Sequence, residues 1–562
     1  MGATRGFRPI ESLARAARNS PWILIAAAAH VLVLAGAAIF VTAYEPPLKV
    51  EVPTIVRLTE RPPAEEAIPE PQIVRAPIPK LDPTELASEP VDVWIADTPV
   101  PEDLTLEVGD PLGRDLGGGG GSSAIGVGPA GRVGSGPSPF PSRGPGKGPA
   151  PGRRGPEVDR TQEAVLQGLR WLARHQNEDG SWSAATLNDV CPCDDPAYRP
   201  KKPYPRIYDT GTTSLALLAF LGAGHTHLSR VDLVDTTRGR RHRIGEIVKK
   251  GLQWLVARQN PDGSVTPERA FLYNEALAAM ALSEAYGLSQ ARYFREPAQR
   301  AIDGLQRAQR PAPSGTGLWG WRYASREDVE RFHRGAGSRD ADLARELYDA
   351  DTSVTAWAVL ALKSGQISGL TVAPESLSGA VAFTEHVIQR GPDGRPTGLA
   401  GYLDARTAGL KVTGPNDHFE YHPGAMSALA MCIRIFAGRD ADDPFLRPAA
   451  DQVVKDPPRV SKDGLSIDYY AWYYGSLALN QFDGPAAPRR TGRHWPAWDK
   501  AVVEALLALQ SQDRRSCASG GWMAPDRWSL DHGGPLYATA LNVLTLEVYY
   551  RYENAFGGAK RN

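Results

Sequence analysis

One pattern recurs along the chain and constrains its fold more than any other feature. A small residue opens an apolar helix face, a Gln follows eight positions later, and a Gly-containing turn comes next. It reads Gly168-Leu-Arg-Trp-Leu-Ala-Arg-His-Gln176-Asn-Glu-Asp-Gly-Ser-Trp182 and returns as Gly251-Leu-Gln-Trp-Leu-Val-Ala-Arg-Gln259-Asn-Pro-Asp-Gly-Ser264. Weaker copies are Ala301 to Gln309 with Gly317 to Trp321, Val381 to Gln389 with Pro392 to Gly394, and Val502 to Gln510 with Gly520 to Trp522. Repeats of this kind mean units that bury their apolar faces against one another. Within a unit, Asp179-Gly180 and Asp262-Gly263 supply a turn, because Gly reaches positive φ cheaply. Gln176 and Gln259 are placed to bond backbone groups at the helix end, and Trp182 to cover the turn.

Between these copies runs a second class of helix, richer in Ala and apolar almost all round. Its members are Thr212–Leu221, Tyr273–Leu282, Thr352–Ala361, His422–Met431, Tyr469–Ala478 and Tyr537–Leu546. Helices apolar on every side are buried. The amphipathic class starts near 161, 246, 297, 377, 444 and 498, the one at 444 being the least clear. Strict alternation, six of each, predicts an all-α body: a single α6/α6 toroid of six helical hairpins over 158–556.

The rest of the chain reads differently. Residues 45–157 hold 22 prolines and 17 glycines in 113 positions, above the share at which chains stop folding. They read as a disordered Pro/Gly-rich linker. Trp22 to Ala43 carries no charge, and Arg5, Arg8, Arg15 and Arg18 precede it. That predicts an uncleaved transmembrane signal-anchor helix over 21–44, with 1–20 in the cytoplasm. A cleaved signal peptide is the alternative. The expected localisation is the cell inner membrane, single-pass, with the toroid extracytoplasmic (periplasmic). His30 sits inside the span. A span with an embedded His and a Pro-rich stretch behind it resembles the energy-transducing TonB-type proteins, which implies an inner-membrane protein partner through the transmembrane helix. A net charge of −1 argues against nucleic acid as a partner. Four cysteines exclude a disulfide-built scaffold.

His175-Gln176-Asn-Glu-Asp-Gly-Ser-Trp182 resembles the QW motif of squalene and hopene cyclases. More broadly, the body is similar to prenyltransferase and squalene-cyclase repeat proteins of the terpenoid cyclase/protein prenyltransferase toroid superfamily. In that family an Asp-x-Asp-Asp-Thr motif protonates an alkene. An alkene is a weak base, so the acid has to be protonated and desolvated. The nearest match here is Tyr348-Asp349-Ala350-Asp351-Thr352, one Asp short. Registered on its first Asp, it makes Asp351 the acid with Asp349 in support; registered on Thr352, it puts Ala350 in the acid's place. The plainer reading makes Asp351 the cap of the helix from Thr352. Expected cavity-lining aromatics are Tyr273, Trp357, Tyr421, Tyr469, Trp472, Tyr473 and Tyr537, with Tyr470 and Tyr474 beside them.

The resemblance to protein prenyltransferases raises the question of zinc. Cys191-Pro-Cys193 has no second ligand pair and reads as loop cysteines, so neither a metal nor a cofactor is expected. His225 and His227 follow a helix end and read as a cap or solvated loop, and Asp531-His532 as a helix-entry turn. Two functions follow. One is a membrane-anchored binding or scaffolding module for an apolar ligand, a glycan or a peptide. The other is a terpenoid, squalene-hopene-like cyclase using Asp351 as proton donor.

Overall fold

The computed structural model describes residues 156–555 except 191–203, 236, 267–270, 337–342, 344–345, 407–410, 414–418, 422, 462–465, 489–490 and 553–554. All of these lie in the unit Ala64–Asn562. The expected cytoplasmic segment, membrane span and linker fall outside the described residues, as do Cys191 and Cys193. No described helix is long and apolar enough to cross a membrane.

Among the described residues, twelve helices in chain order form two concentric layers. The even-numbered ones are α2 (Asp209–Gly222), α4 (Leu272–Ser289), α6 (Thr352–Ile367), α8 (Pro423–Phe436), α10 (Tyr469–Asp483) and α12 (Gly534–Leu546). All fourteen residues of α2 are buried, as its lack of a polar face requires. Each even helix packs on the next, and α12 packs back on α2, so the six close a ring. The odd-numbered ones are α1 (Pro156–Arg174), α3 (Ile244–Arg258), α5 (Arg292–Arg307), α7 (Pro374–Val387), α9 (Leu446–Val453) and α11 (Trp495–Leu509). These bury one face only: α5 turns Phe294, Ala298, Ala301, Ile302 and Leu305 inward and leaves its arginines outside. Helix α5 rests on α4 and α6, α7 on α6 and α8, α9 on α8 and α10, and α1 on α12 and α2. This is an α6/α6 toroid. Among the described residues, three short antiparallel strand pairs were not anticipated: β1 (Asp232–Asp235) with β2 (Arg240–Arg243), β3 (Ile388–Arg390) with β4 (Pro396–Ala400), and β5 (Lys411–Thr413) with β6 (Phe419–Tyr421).

The repeat motif joins neighbouring outer helices. The Gln176 amide donates to Gly180 O and to Ile247 O in the first turn of α3, both at 2.9 Å. Gln259 reaches Pro297 O in α5 at 2.8 Å, and Gln309 reaches Ser376 O in α7 at 2.9 Å. Gln510 closes the circle on Ala164 O in α1 at 2.8 Å. Each donor satisfies a carbonyl across an interhelix seam rather than only at its own helix end. The Trp indoles cap that end: Trp182 donates to Leu172 O at 2.7 Å, Trp321 to Leu305 O at 2.7 Å, and Trp522 to Leu506 O at 2.8 Å. Their backbone N–H groups donate to Thr213, Thr355 and Thr539 of the following inner helix. In the second repeat, which has no Trp at this position, Glu275 takes the Thr's part and accepts from Val265 N at 2.8 Å.

The small residue of the motif has a steric cause. A Cβ on Gly251 would lie 2.8 Å from the Trp182 ring, and one on Gly168 would lie 2.4 Å from Val543 and 3.1 Å from Trp522. Gly180 and Gly263 take φ of 92° and 88°, as their turns demand. The fourth repeat departs from the pattern. Gln389 lies in β3, because the chain leaves α7 as a strand instead of a Gly turn.

The inner helices run in one direction: Gly211 near the start of α2 lies against Asn274 near the start of α4, and Ser364 near the end of α6 donates to Glu284 near the end of α4. Their C-terminal end is plugged by the helix Val548–Arg551 and Tyr552. Arg551, fully buried, donates twice to Glu284 of α4 at 3.0 Å and once to Leu218 O of α2 at 3.1 Å. Tyr552 and Ser364 also donate to Glu284. A cation at the C-terminal ends of several helices also suits their dipoles. The opposite end, where the inner N-termini converge, is the mouth.

Candidate functional site

Asp351 opens α6 at the mouth and is fully buried. Its Oδ1 accepts from Val354 N at 2.8 Å, which makes it the helix N-cap. Its Oδ2 accepts from Arg322 Nη1 at 3.0 Å. Arg322 also pairs through Nε with Asp349 at 3.0 Å and donates to the Tyr402 hydroxyl at 3.2 Å. Burial pushes the Asp351 carboxyl up to about 6, while Arg322 and the Val354 amide pull it back. Both oxygens therefore serve as acceptors, and the group has the partners of a carboxylate. An acid for alkene protonation needs the opposite arrangement. Thr352 is engaged structurally too, donating to Gly401 O at 2.8 Å.

The expected cavity aromatics divide. Trp357 and Tyr473 are stacked with centroids 5.5 Å apart, and Tyr474 meets both edge-on. These three rings, from α6 and α10, are buried together. Tyr469 is likewise buried and packs edge-on against Trp472. Trp472 faces the outer layer, beside Gly424, Val453 and Trp498 in a cleft of about 20 Å³. Of Tyr421 only the backbone, in β6, is described.

Tyr273 does reach the mouth, where it belongs to an arc of rings that the sequence reading did not assemble. Its half-buried ring lies 5.6 Å from Phe271 and 5.9 Å from Tyr323. Phe271 stacks on Tyr323 at 6.3 Å and meets Tyr208 at 6.2 Å. Tyr208 continues to His532 at 5.4 Å, and His532 to Trp528 at 6.1 Å. At the other end Tyr323 and Tyr402 share a hydroxyl–hydroxyl hydrogen bond, with Arg322 over the Tyr323 ring at 4.4 Å. Tyr323 is 38% exposed, and Ile207 (45%) and Leu530 (54%) flank the arc as exposed apolar side chains. Tyr537 is half-buried on the same side, close to Asp526, Asp468 and Tyr470.

Asp526 is a second buried carboxyl at the mouth. It caps the helix Arg527–His532 through Ser529 N at 3.1 Å. Its Oδ2 is buried and makes no hydrogen bond. Burial, with help from the Asp468 carboxylate and against the Ser529 bonds, pushes it up to about 7. Asp468 caps α10 through Ala471 N at 2.8 Å. The signal shared by Asp351, Asp468 and Asp526 was an Asp just ahead of a helix. Just outside the arc, a cavity of about 220 Å³ is lined by polar groups including Asn260, Asp262, Glu275, Arg307, Asp328 and Arg331.

The remaining candidates are structural. His225 and His227 are buried rather than solvated, and burial holds them down near about 4 and about 3. His225 N bonds Phe220 O at 2.9 Å as part of the C-cap of α2. No group of three metal-ligating side chains occurs among the described residues.

No protein-family model matches the chain, and no curated protein does. Among solved structures, the type II terpene cyclase MstE from Scytonema with geranylgeranyl dihydroxybenzoate is similar at 15% identity and a TM-score of 0.41. That match covers 70% of this chain and 99% of the other. The GH76A α-1,6-mannanase from Salegentibacter sp. HEL1_6 is similar at 11% identity and a TM-score of 0.39, over 70% and 99% of the two chains. The class of this chain rests on its own closed ring of helices: it is an α/α toroid.

Proposed function

We propose that this chain is a membrane-anchored binding module whose toroid holds its ligand at the mouth. One observation carries the reading: a half-exposed arc of aromatic rings from Tyr402 to Trp528 spans an end of the ring whose buried Asp351 is already committed to a helix cap and to Arg322. Rings exposed in a row bind what stacks on them, whether an apolar chain, a glycan or a peptide. The charges of both signs beside the arc, Arg322 and Arg206 against Asp349 and Asp531, favour a peptide. Peptide display on the full-length protein tests this. Enriched sequences are expected on the native chain and are lost on a Phe271→Ala/Tyr323→Ala chain. Absence of enrichment overturns the reading.

The cyclase reading has one observation in its favour, the raised pKa of Asp351 among Tyr273, Tyr323 and Tyr402. Membranes carrying native or Asp351→Asn protein, incubated with squalene, separate the two. A cyclised product from the native chain alone contradicts the binding-only reading. The extracytoplasmic placement is supported by the uncharged run Trp22 to Ala43 behind four arginines. A topology reporter fused after Phe556 is expected to read outside the cytoplasm.

A further inference from the structure

The seams between outer helices repeat one construction, and the second seam lacks a part of it. In the first seam the Asp179-Gly180 turn lies against α3. The Gln176 amide reaches Ile247 O, and a Cβ on Gly180 would run into the backbone of Lys250. The second seam keeps that register: Gln259 reaches Pro297 O, and a Cβ on Gly263 would run into the backbone of Arg300. In this register α3 carries Gly251, Trp254, Ala257 and Arg258 where α5 carries Ala301, Gly304, Arg307 and Ala308.

Trp254 closes the first seam. Its Nε1 donates to Asp179 Oδ2 at 3.0 Å, and the Arg258 guanidinium lies over its ring, 4.2 Å from the centroid. Trp171 holds the same position in α1, against the last turn, where a Cβ on Gly521 would lie 2.7 Å from its ring. At Gly304 there is no ring. The cavity of about 220 Å³ lies at that place, between the Asp262-Gly263 turn and the face of α5 formed by Ala301, Gly304 and Ala308.

We infer that this cavity is a binding site for an indole ring from outside the chain, seated as Trp254 is seated in the first seam. Room is the first requirement. A cavity of about 150 Å³ already holds a benzene ring, so this one admits a bicyclic ring. The second is an acceptor for the ring N–H. Asp262 Oδ1 takes the two bonds from Ser264 that Asp179 Oδ1 takes from Ser181. Asp262 Oδ2, the counterpart of the oxygen that Trp254 serves, accepts from no side chain or amide among the described residues. A bond from an indole N–H to this carboxylate is charge-assisted.

The third requirement is a cover for the ring face. The arginine that ends α3 at 258 has its equivalent one position earlier in α5, at Arg307. Arg307 donates to Asp262 O and makes no ion pair among the described residues, so its guanidinium can lie on the ring. The deeper carboxylates are already engaged. Glu275 accepts from Val265 N and Thr266 N, and Asp328 from Ser325 and Arg331. The open groups are therefore Asp262 Oδ2 and Arg307, and an indole answers both. The site uses none of the rings of the mouth and does not depend on what binds there.

The test is a fluorine-NMR titration of N-acetyl-fluorotryptophanamide with the full-length protein in nanodiscs. Saturable binding is expected, at least tenfold weaker for the analogue methylated on the indole nitrogen, which has no proton to donate. Gly304→Trp supplies the ring from within and is expected to abolish binding without lowering the unfolding temperature. Asp262→Ala changes an exposed side chain and keeps the readout if that variant fails to fold. It is expected to bring the two probes within twofold of each other. Free indole binding as tightly as a tryptophan-containing peptide assigns the ring to a small molecule. A peptide at least tenfold tighter assigns it to a partner's tryptophan side chain. Absence of binding, equal binding of the methylated analogue, or binding retained by folded Gly304→Trp overturns the inference.

Discussion

The Gln510 side-chain amide donates to the backbone carbonyl of Ala164, 346 residues away, at 2.8 Å. It is the same bond that Gln176, Gln259 and Gln309 make between consecutive repeats. At this one place it ties the last repeat to the first. The ring is closed by the same device that builds it.

Gln510→Leu should therefore open the seam. It leaves the carbonyls of Ala164 and Gly520 without this donor in a buried setting, and the expected loss is about 1–3 kcal/mol. Hydrogen exchange should rise first in α1 and α11. Equal acceleration throughout the molecule would show that the bond is not local to a seam.

Gly168→Ala adds one methyl where Val543 leaves 2.4 Å and Trp522 3.1 Å. Overpacking of this kind costs about 1–3 kcal/mol. Thermal unfolding measures it. The exposed Gly315, with nothing near its Cβ direction, is not a fair control because its φ is positive. Gly335 is better, since it has an open surround without that restriction.

At the plugged end, Arg551→Leu should be among the most damaging single changes. It strands Glu284, which is fully buried and takes two of the arginine's hydrogen bonds. Breaking one side of a buried pair costs about 3–5 kcal/mol. The double change Arg551→Leu/Glu284→Met should recover much of that loss in denaturant unfolding.

The two mouth carboxyls set a pH dependence. Asp526 and Asp351 have folded values pushed up to about 7 and about 6, against an ordinary 3.8. The folded state holds their protons more tightly than the unfolded one. Their stabilising contribution is full below about pH 4 and is lost as pH rises through 6 and 7. Asp526→Asn keeps a good helix cap and removes the buried charge. It should flatten the upper part of the profile and stabilise the protein at pH 8, by on the order of 3 kcal/mol. A parallel shift of the native and variant curves would contradict this.

Alternation of two helix classes in the sequence carried the ring, because apolar-all-round segments such as Asp209–Gly222 have no other place to go. The Gln and Trp positions of the turn were legible as well. Their partners were not, since Ile247 and Ala164 accept through backbone carbonyls, which carry no side-chain signal. The mouth was legible in part. Asp351 and Tyr273 stood out locally, but Arg322, Tyr323, Tyr402 and Phe271 come together only because two inner helices begin side by side. The expected anchor and linker lie outside the described residues.

The most direct test is the dissociation constant of a display-selected peptide for the native chain and for Phe271→Ala/Tyr323→Ala, with thermal unfolding confirming that the variant is folded. Loss of two aromatic contacts should weaken binding at least tenfold. An unchanged constant in a folded variant would mean that the arc of rings at the mouth is not the binding site.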